Sequence, residues 1–256
     1  MDQLKDSSAW LDHFERNRLD RPEPDWGRPT PFPPPVAARL ARSLAHFQLG
    51  ESCGGTTLLA GARRTRPDDA DYLAAMTLFV AEEREHARLL GHLVTRFGGT
   101  PVTKHWTDRG FRLARHALGV GFETQTVVVA EIVGGAYFRL LRSTGDLVLR
   151  QVCELMVRDE TQHRRFHVDR VVIAQLRWSP LRRALWTGCF QLLFRAALLA
   201  AWVDHRTALR AVGIDRRLFS AEARADARDW VVRRAGAARA GRTGRSRRRW
   251  FSPRHC

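Results

Sequence analysis

Glu83-Arg-Glu-His86 and Glu160-Thr-Gln-His163 each set a carboxylate and an imidazole three residues apart. A lone glutamate precedes each pair inside an apolar stretch, Glu51 in LAHFQLGESCGGTTLL and Glu131 in TVVVAEIVGGAYF. On a helix, positions i and i+3 share a face one turn apart. Glu83 and His86 therefore converge on one point, and Glu160 and His163 on another. Glu51 and Glu131 would supply bridging or terminal carboxylates from two further helices. Four carboxylates and two neutral imidazoles suit a borderline-hard cation such as iron or manganese, with room left for a small molecule such as dioxygen. A buried carboxylate without a partner is costly, and a shared pair of metal ions removes that cost.

Helices with apolar stripes must carry both motifs. Tyr72, Met76, Phe79, Val80, Leu90, Leu93 and Val94 fall on the face of Glu83 and His86, while Glu82 and Glu85 fall off it and read as solvated. Val152, Cys153, Met156, Val157, Phe166 and Val171 accompany Glu160 and His163. If facing ligands sit on antiparallel helices, each turn lies midway between them. The midpoint of Glu51 and Glu83 is Pro67, and that of Glu131 and Glu160 falls beside Gly145; Asp68 and Asp146 are the expected caps of the helices that follow. The second helix should end near Phe97-Gly98-Gly99 and the third begin after Gly119-Val-Gly121. Residues 99–121 then form a long crossover, with a short helix at 108–117; His105, Trp106 and His116 in it read as surface or packing residues. The expectation is an all-α chain built on a four-helix bundle. Gly54-Gly55 and Gly134-Gly135 follow the two lone glutamates at matching distances. They imply either space beside the metals or close helix packing, and 36–98 and 122–176 read as a degenerate duplication of one hairpin.

The order Glu, Glu-x-x-His, Glu, Glu-x-x-His resembles the ferritin-like di-iron carboxylate superfamily over about residues 36–176. The resemblance implies a ferritin-like bundle with the long crossover between helices 2 and 3, and metal ligation by Glu51, Glu83, His86, Glu131, Glu160 and His163. It also implies two iron ions, with manganese as the alternative, in an oxidoreductase or oxygenase that activates dioxygen. No flavin, nicotinamide or iron–sulfur motif is present, so electrons would come from a separate reductase. The substrate would be a small molecule or a carrier-bound group. The alternatives are an iron-handling protein (ferroxidase or peroxidase) and a binding protein stapled by metal. An arm, extra helices and a tail count against a closed storage shell.

The rest of the chain divides around that bundle. Residues 1–35 form a proline-rich arm: SSAWLDHFERNRL reads as a short amphipathic helix, and the following segment with its seven prolines as an extended linker. Residues 177–232 hold one or two accessory helices opened by Ser179-Pro180. The apolar run 184–203 approaches the roughly 20 residues that span a bilayer, but Arg195 and Gln191 interrupt it. A fifth helix packed on the bundle is the first reading, docking on a membrane surface the second and a span the third. His205 reads as a cap or surface residue first and an additional ligand second, His167 as interior beside the ligands first and a ligand second, and Tyr72 and Tyr137 as core. Net charge is +16, yet only Lys5 and Lys104 of the 43 basic residues are lysine, which points to a GC-rich genome more than to nucleic acid. Residues 233–256 carry nine arginines and no acid and should be disordered. Cys53, Cys153, Cys189 and Cys256 form no Cys-x-x-Cys pair and read as reduced, mostly buried thiols. The N-terminus lacks the pattern of a signal peptide. A cytoplasmic monomer or homodimer is expected, with membrane association at most peripheral.

Overall fold

The computed structural model describes residues 4–52, 55–104, 120–175 and 178–231; every regular element among them is helical and none is a strand. Helix α1 (Ser7–Leu19) is capped by Asp6, whose side chain accepts from the Ala9 amide. Helix α2 (Pro34–Ser52) begins on two prolines, whose missing N–H groups would be unpaired in a first turn anyway. Helices α3 (Gly55–Thr65) and α4 (Ala70–Arg96) meet at a turn containing Pro67. The cap of α4 is Asp69 rather than Asp68: its side chain accepts from the Tyr72 amide at 3.0 Å. Gly98, at φ +76°, lets the chain leave α4 while Gly99 N–H donates back to the Val94 carbonyl.

Helices α5 (Val120–Leu141) and α6 (Leu147–Gln175) form the second hairpin. Its turn holds Gly145 at φ +95°, and Asp146 accepts from the Leu149 amide at 2.8 Å. Helix α7 (Pro180–Ala211) starts on the Ser179 cap, and a further helix, α8, covers 216–231. The expected helix at 108–117 with His105, Trp106 and His116, the tail 233–256, Gly54, Cys53 and Cys256 lie outside the described residues. Of the other cysteines, Cys153 is buried and Cys189 exposed, so the latter departs from the buried-thiol expectation.

Packing follows the apolar stripes. Helix α2 runs against α4, α5 against α6, and α4 meets α6 across the middle. Leu40, Leu44, Leu90, Leu93, Ile132, Val152 and Met156 join these four helices in one core. Helix α7 lies across α2 and α5 through Phe190, Phe194, Leu198, Trp202 and Leu209, spaced four or seven apart. It therefore packs as a fifth helix. The arm does more than link: Trp10 and Phe14 of α1 are fully buried in a second core with Met76, Phe79 and Phe166. Each buried side chain of that size contributes roughly 1.5–3 kcal/mol, and Trp10 Nε1 also donates to Asp169 at 2.9 Å. Helix α1 is thus a structural part of the molecule, packed beside the end of α6 that carries His163.

Candidate metal centre

The structure brings all six expected ligands together. Donor atoms of Glu51, Glu83, His86 and Glu160 all lie within 4.8 Å of one another, and so do those of Glu83, Glu131 and His163. Glu83 belongs to both groups. Glu160 also faces both imidazoles, 3.5 Å from His86 Nδ1 and 4.0 Å from His163 Nδ1. His163 Nδ1 lies 3.0 Å from Glu83 Oε1. The two motif glutamates thus stand between the two histidines, and the two lone glutamates stand outside them, one on each side.

The donor set fits a pair of cations. Glu83 Oε1, His86 Nδ1, both oxygens of Glu131, Glu160 Oε2 and His163 Nδ1 are buried and make no properly directed hydrogen bond to protein. Buried polar atoms rarely go without partners, and six such atoms converge in this one cluster. Oxygen and imidazole donors with no thiolate select iron or manganese over soft metals.

Outside the cluster, each imidazole is held by a carboxylate from the opposite helix. His86 Nε2 donates to Asp159 Oδ2 at 3.1 Å, and His163 Nε2 to Glu82 Oε2 at 2.9 Å. Such a contact puts the proton on Nε2 and turns the Nδ1 lone pair inward, as carboxylate–histidine–metal triads require. The expectation that Glu82 is solvated is overturned: it is 4 % exposed. Asp159 was not singled out at all. The signal for both was present, because an acid immediately precedes the motif glutamate in Glu82-Glu83 and in Asp159-Glu160. A residue one before the ligand turns about 100° away from it, toward the neighbouring helix rather than to solvent.

The arm closes this side of the centre. Asn17 Nδ2 donates to Glu82 Oε1 at 2.6 Å and to Asp159 Oδ1 at 2.9 Å, so one side-chain amide ties the two outer carboxylates together. Arg21 reaches Asp159 Oδ2 at 2.7 Å and Glu82 Oε1 at 3.5 Å. Phe14 and Phe79 pack on the His163 ring, and Phe166 packs on both of them. The opposite side is more open, with the Glu83 side chain 21 % exposed and Glu51 only partly buried.

Protons hold the metal-free cluster together. Burial works against a charged His86, yet the contacts to Asp159 and Glu160 outweigh it and raise its pKa to about 9. His163 is raised well above its ordinary value in the same way, by Glu82 and Glu83 against burial. Glu83 is lowered to about 2, since the His163 contact outweighs burial. Burial, with the Glu83 charge beside it, pushes Glu51 well up, and burial raises Glu160. His86 therefore stabilises the metal-free fold in full below its unfolded value of 6.5, and that contribution is lost as pH rises through about 9. Glu51 and Glu160, acids with raised values, act in the same direction. Metal-free protein should accordingly lose on the order of 3 kcal/mol of stability between about pH 6 and pH 9.5, read as a lower urea midpoint. Metal-loaded protein, whose ligands have already given up their protons, should lose much less.

Several other expected residues stand elsewhere. His167 lies beside the cluster, with Nε2 3.2 Å from Glu131 Oε1. His205 is neither a ligand nor a surface cap: it is buried, and its Nδ1 lies 2.8 Å from Ser43 Oγ, which also contacts the Tyr137 hydroxyl at 2.6 Å. Tyr137 is a core residue and Tyr72 a partly buried one under Arg66 and Arg170. The glycines serve packing. A Cβ on Gly55 would sit 2.5 Å from Val80, and one on Gly135 would sit 2.8 Å from the Arg164 guanidinium, while Gly134 meets Phe47.

No protein-family model, curated protein or solved structure matches this chain.

Proposed function

We propose that this chain is a ferritin-like di-metal carboxylate oxidoreductase, in which two iron ions activate dioxygen to oxidise an organic substrate. The observation that carries the reading is the pair of ligand groups sharing Glu83, with an outer carboxylate on each imidazole. Glu51 and His86 would hold one ion, Glu131 and His163 the other, and Glu83 and Glu160 would bridge them. Manganese would fit the same donors. When bound, the pair would supply the electrons for dioxygen reduction, and a separate reductase would have to return them.

The chain's own residues set the conditions for that chemistry. Asp159 and Glu82 accept the Nε2 protons and fix both rings. In the metal-free state burial and the neighbouring Glu83 charge favour a proton on Glu51, whose pKa is raised while that of Glu83 is lowered. That proton must leave when metal binds, and the partly exposed carboxylates give it a path to solvent. Phe14, Phe79 and Phe166 keep water from the His163 side, so small molecules approach past Glu51 and Glu83. The described appendages, α1, α7 and α8, favour an organic substrate over iron storage, because storage shells are built from bare bundles.

Anaerobic loading with ferrous iron should give two irons per chain by elemental analysis, and readmitted oxygen should be consumed in proportion to iron. A chain that retains no iron after dialysis defeats the proposal. A large closed shell on a sizing column that accumulates ferric mineral would replace the oxygenase by the iron-handling reading.

A further inference from the structure

Helix α7 has a second face that none of the described residues covers. Leu181, Leu185, Leu192, Leu199 and Val203 are 70, 62, 72, 53 and 44 % exposed. Their spacings of four and seven place them on one side of the helix. At a rise of about 1.5 Å per residue the ridge is roughly 33 Å long. Alongside it, α7 and α8 line a half-open cavity of about 830 Å³, whose walls include Leu198 and Val231 and four arginines, Arg195, Arg216, Arg224 and Arg228. No acidic residue lines it. Two acids of α8, Glu222 and Asp226, are turned to the other side, where they pair with Arg139 at 2.6 Å each. Among the described residues none of the four cavity arginines has an ion-pair partner.

An exposed apolar ridge beside uncompensated guanidinium groups needs a partner that is apolar and anionic at once. A second copy of the chain is a poor one, since pairing this face with itself would oppose the arginine rows. A bilayer span would have to strip Phe190, Phe194 and Trp202 from the bundle, where they are buried. The surface of an anionic phospholipid bilayer supplies both needs, acyl chains for the leucines and phosphates for the arginines.

We propose that α7 and α8 dock this protein on the surface of an anionic phospholipid bilayer, with the leucine ridge lying in the interface and the cavity arginines on lipid phosphates. This rests on surface residues remote from the ligand cluster, so it stands or falls apart from the metal reading. Co-sedimentation of the full chain with vesicles of phosphatidylglycerol and phosphatidylcholine should show binding that is far weaker on phosphatidylcholine alone. Leu192→Glu/Leu199→Glu and Arg216→Gln/Arg224→Gln/Arg228→Gln, both at exposed positions and both retaining residues 233–256, should each lower the partition at least tenfold. Loss of roughly fivefold per arginine is the scale expected for charges at such a surface. Unchanged circular dichroism of the variants shows that they fold. The proposal is overturned if wild type ignores anionic vesicles. It is equally overturned if both variants bind like wild type, since the arginine-rich end of the chain would then carry the binding. Light scattering that shows a dimer, made monomeric by Leu192→Glu/Leu199→Glu, would assign the ridge to a second copy instead.

Discussion

Glu83→Gln should bring the metal content down from two ions per chain to one or none. Glu83 is the residue common to both ligand groups, so its loss weakens both sites at once. The amide keeps the size and shape of the side chain but cannot offer an anionic bridge. The drop in affinity should exceed the roughly 10–100-fold that follows loss of a merely outer partner. Glu51→Gln and Glu131→Gln are the internal controls, because each touches one group only and should leave one ion tightly held. The metal-free protein should fold in all three. In Glu83→Gln the charge that helps to push Glu51 up is gone, so Glu51 should titrate closer to an ordinary glutamate, while His163 loses one of the partners that raise it. Elemental analysis after anaerobic reconstitution and dialysis measures the first effect. Two ions retained in Glu83→Gln would mean that the groups are independent, and the bridged reading would fall.

What the sequence made readable was whatever depends on spacing along one helix. Glu-x-x-His at i and i+3 is a one-helix property, and Pro67 and Gly145 mark turns by local chemistry, so the clustering of the six candidate residues and both hairpin turns could be read without coordinates. What depends on the neighbouring helix could not. Glu82 looked solvated because it leaves the apolar stripe of α4, yet leaving that stripe carries it to His163 on α6. Asn17 lies more than sixty residues from either carboxylate it bridges, and no periodicity announces such a contact. The arm misled for a related reason. Its seven prolines spoke for an extended linker, which holds between α1 and α2, but Trp10 and Phe14 outweigh them by burying α1 in the core. The glycine pairs were ambiguous because the same absence of a side chain serves space and contact alike, and only the position of Val80 and Arg164 decides for contact.

Asp159→Asn should be among the most destabilising polar substitutions in the molecule, and it should damage one metal site selectively. Asp159 is fully buried and receives His86, Asn17, Arg21 and Arg158 on its two oxygens. Those donors hold its carboxyl well below the usual range despite burial. Removing one partner from a buried ion pair leaves the other charge uncompensated, which costs about 3–5 kcal/mol. Here the stranded charges are Arg21 and a protonated His86. Urea unfolding of the metal-free variant at neutral pH should show that loss. Arg21→Met in the Asp159→Asn background should restore part of it, because the orphaned guanidinium is then gone, and the shortfall from additivity measures the pair. Metal binding distinguishes a positioning role from a purely structural one. Asp159 fixes the ring of His86 alone, and Glu82 still fixes that of His163. The ion held with His86 should therefore weaken by roughly 10–100-fold while the ion held with His163 keeps its affinity. Equal weakening of both sites would instead mean that the two outer carboxylates act as one unit through the Asn17 amide, and Asn17→Ala would then reproduce the effect with both carboxylates intact.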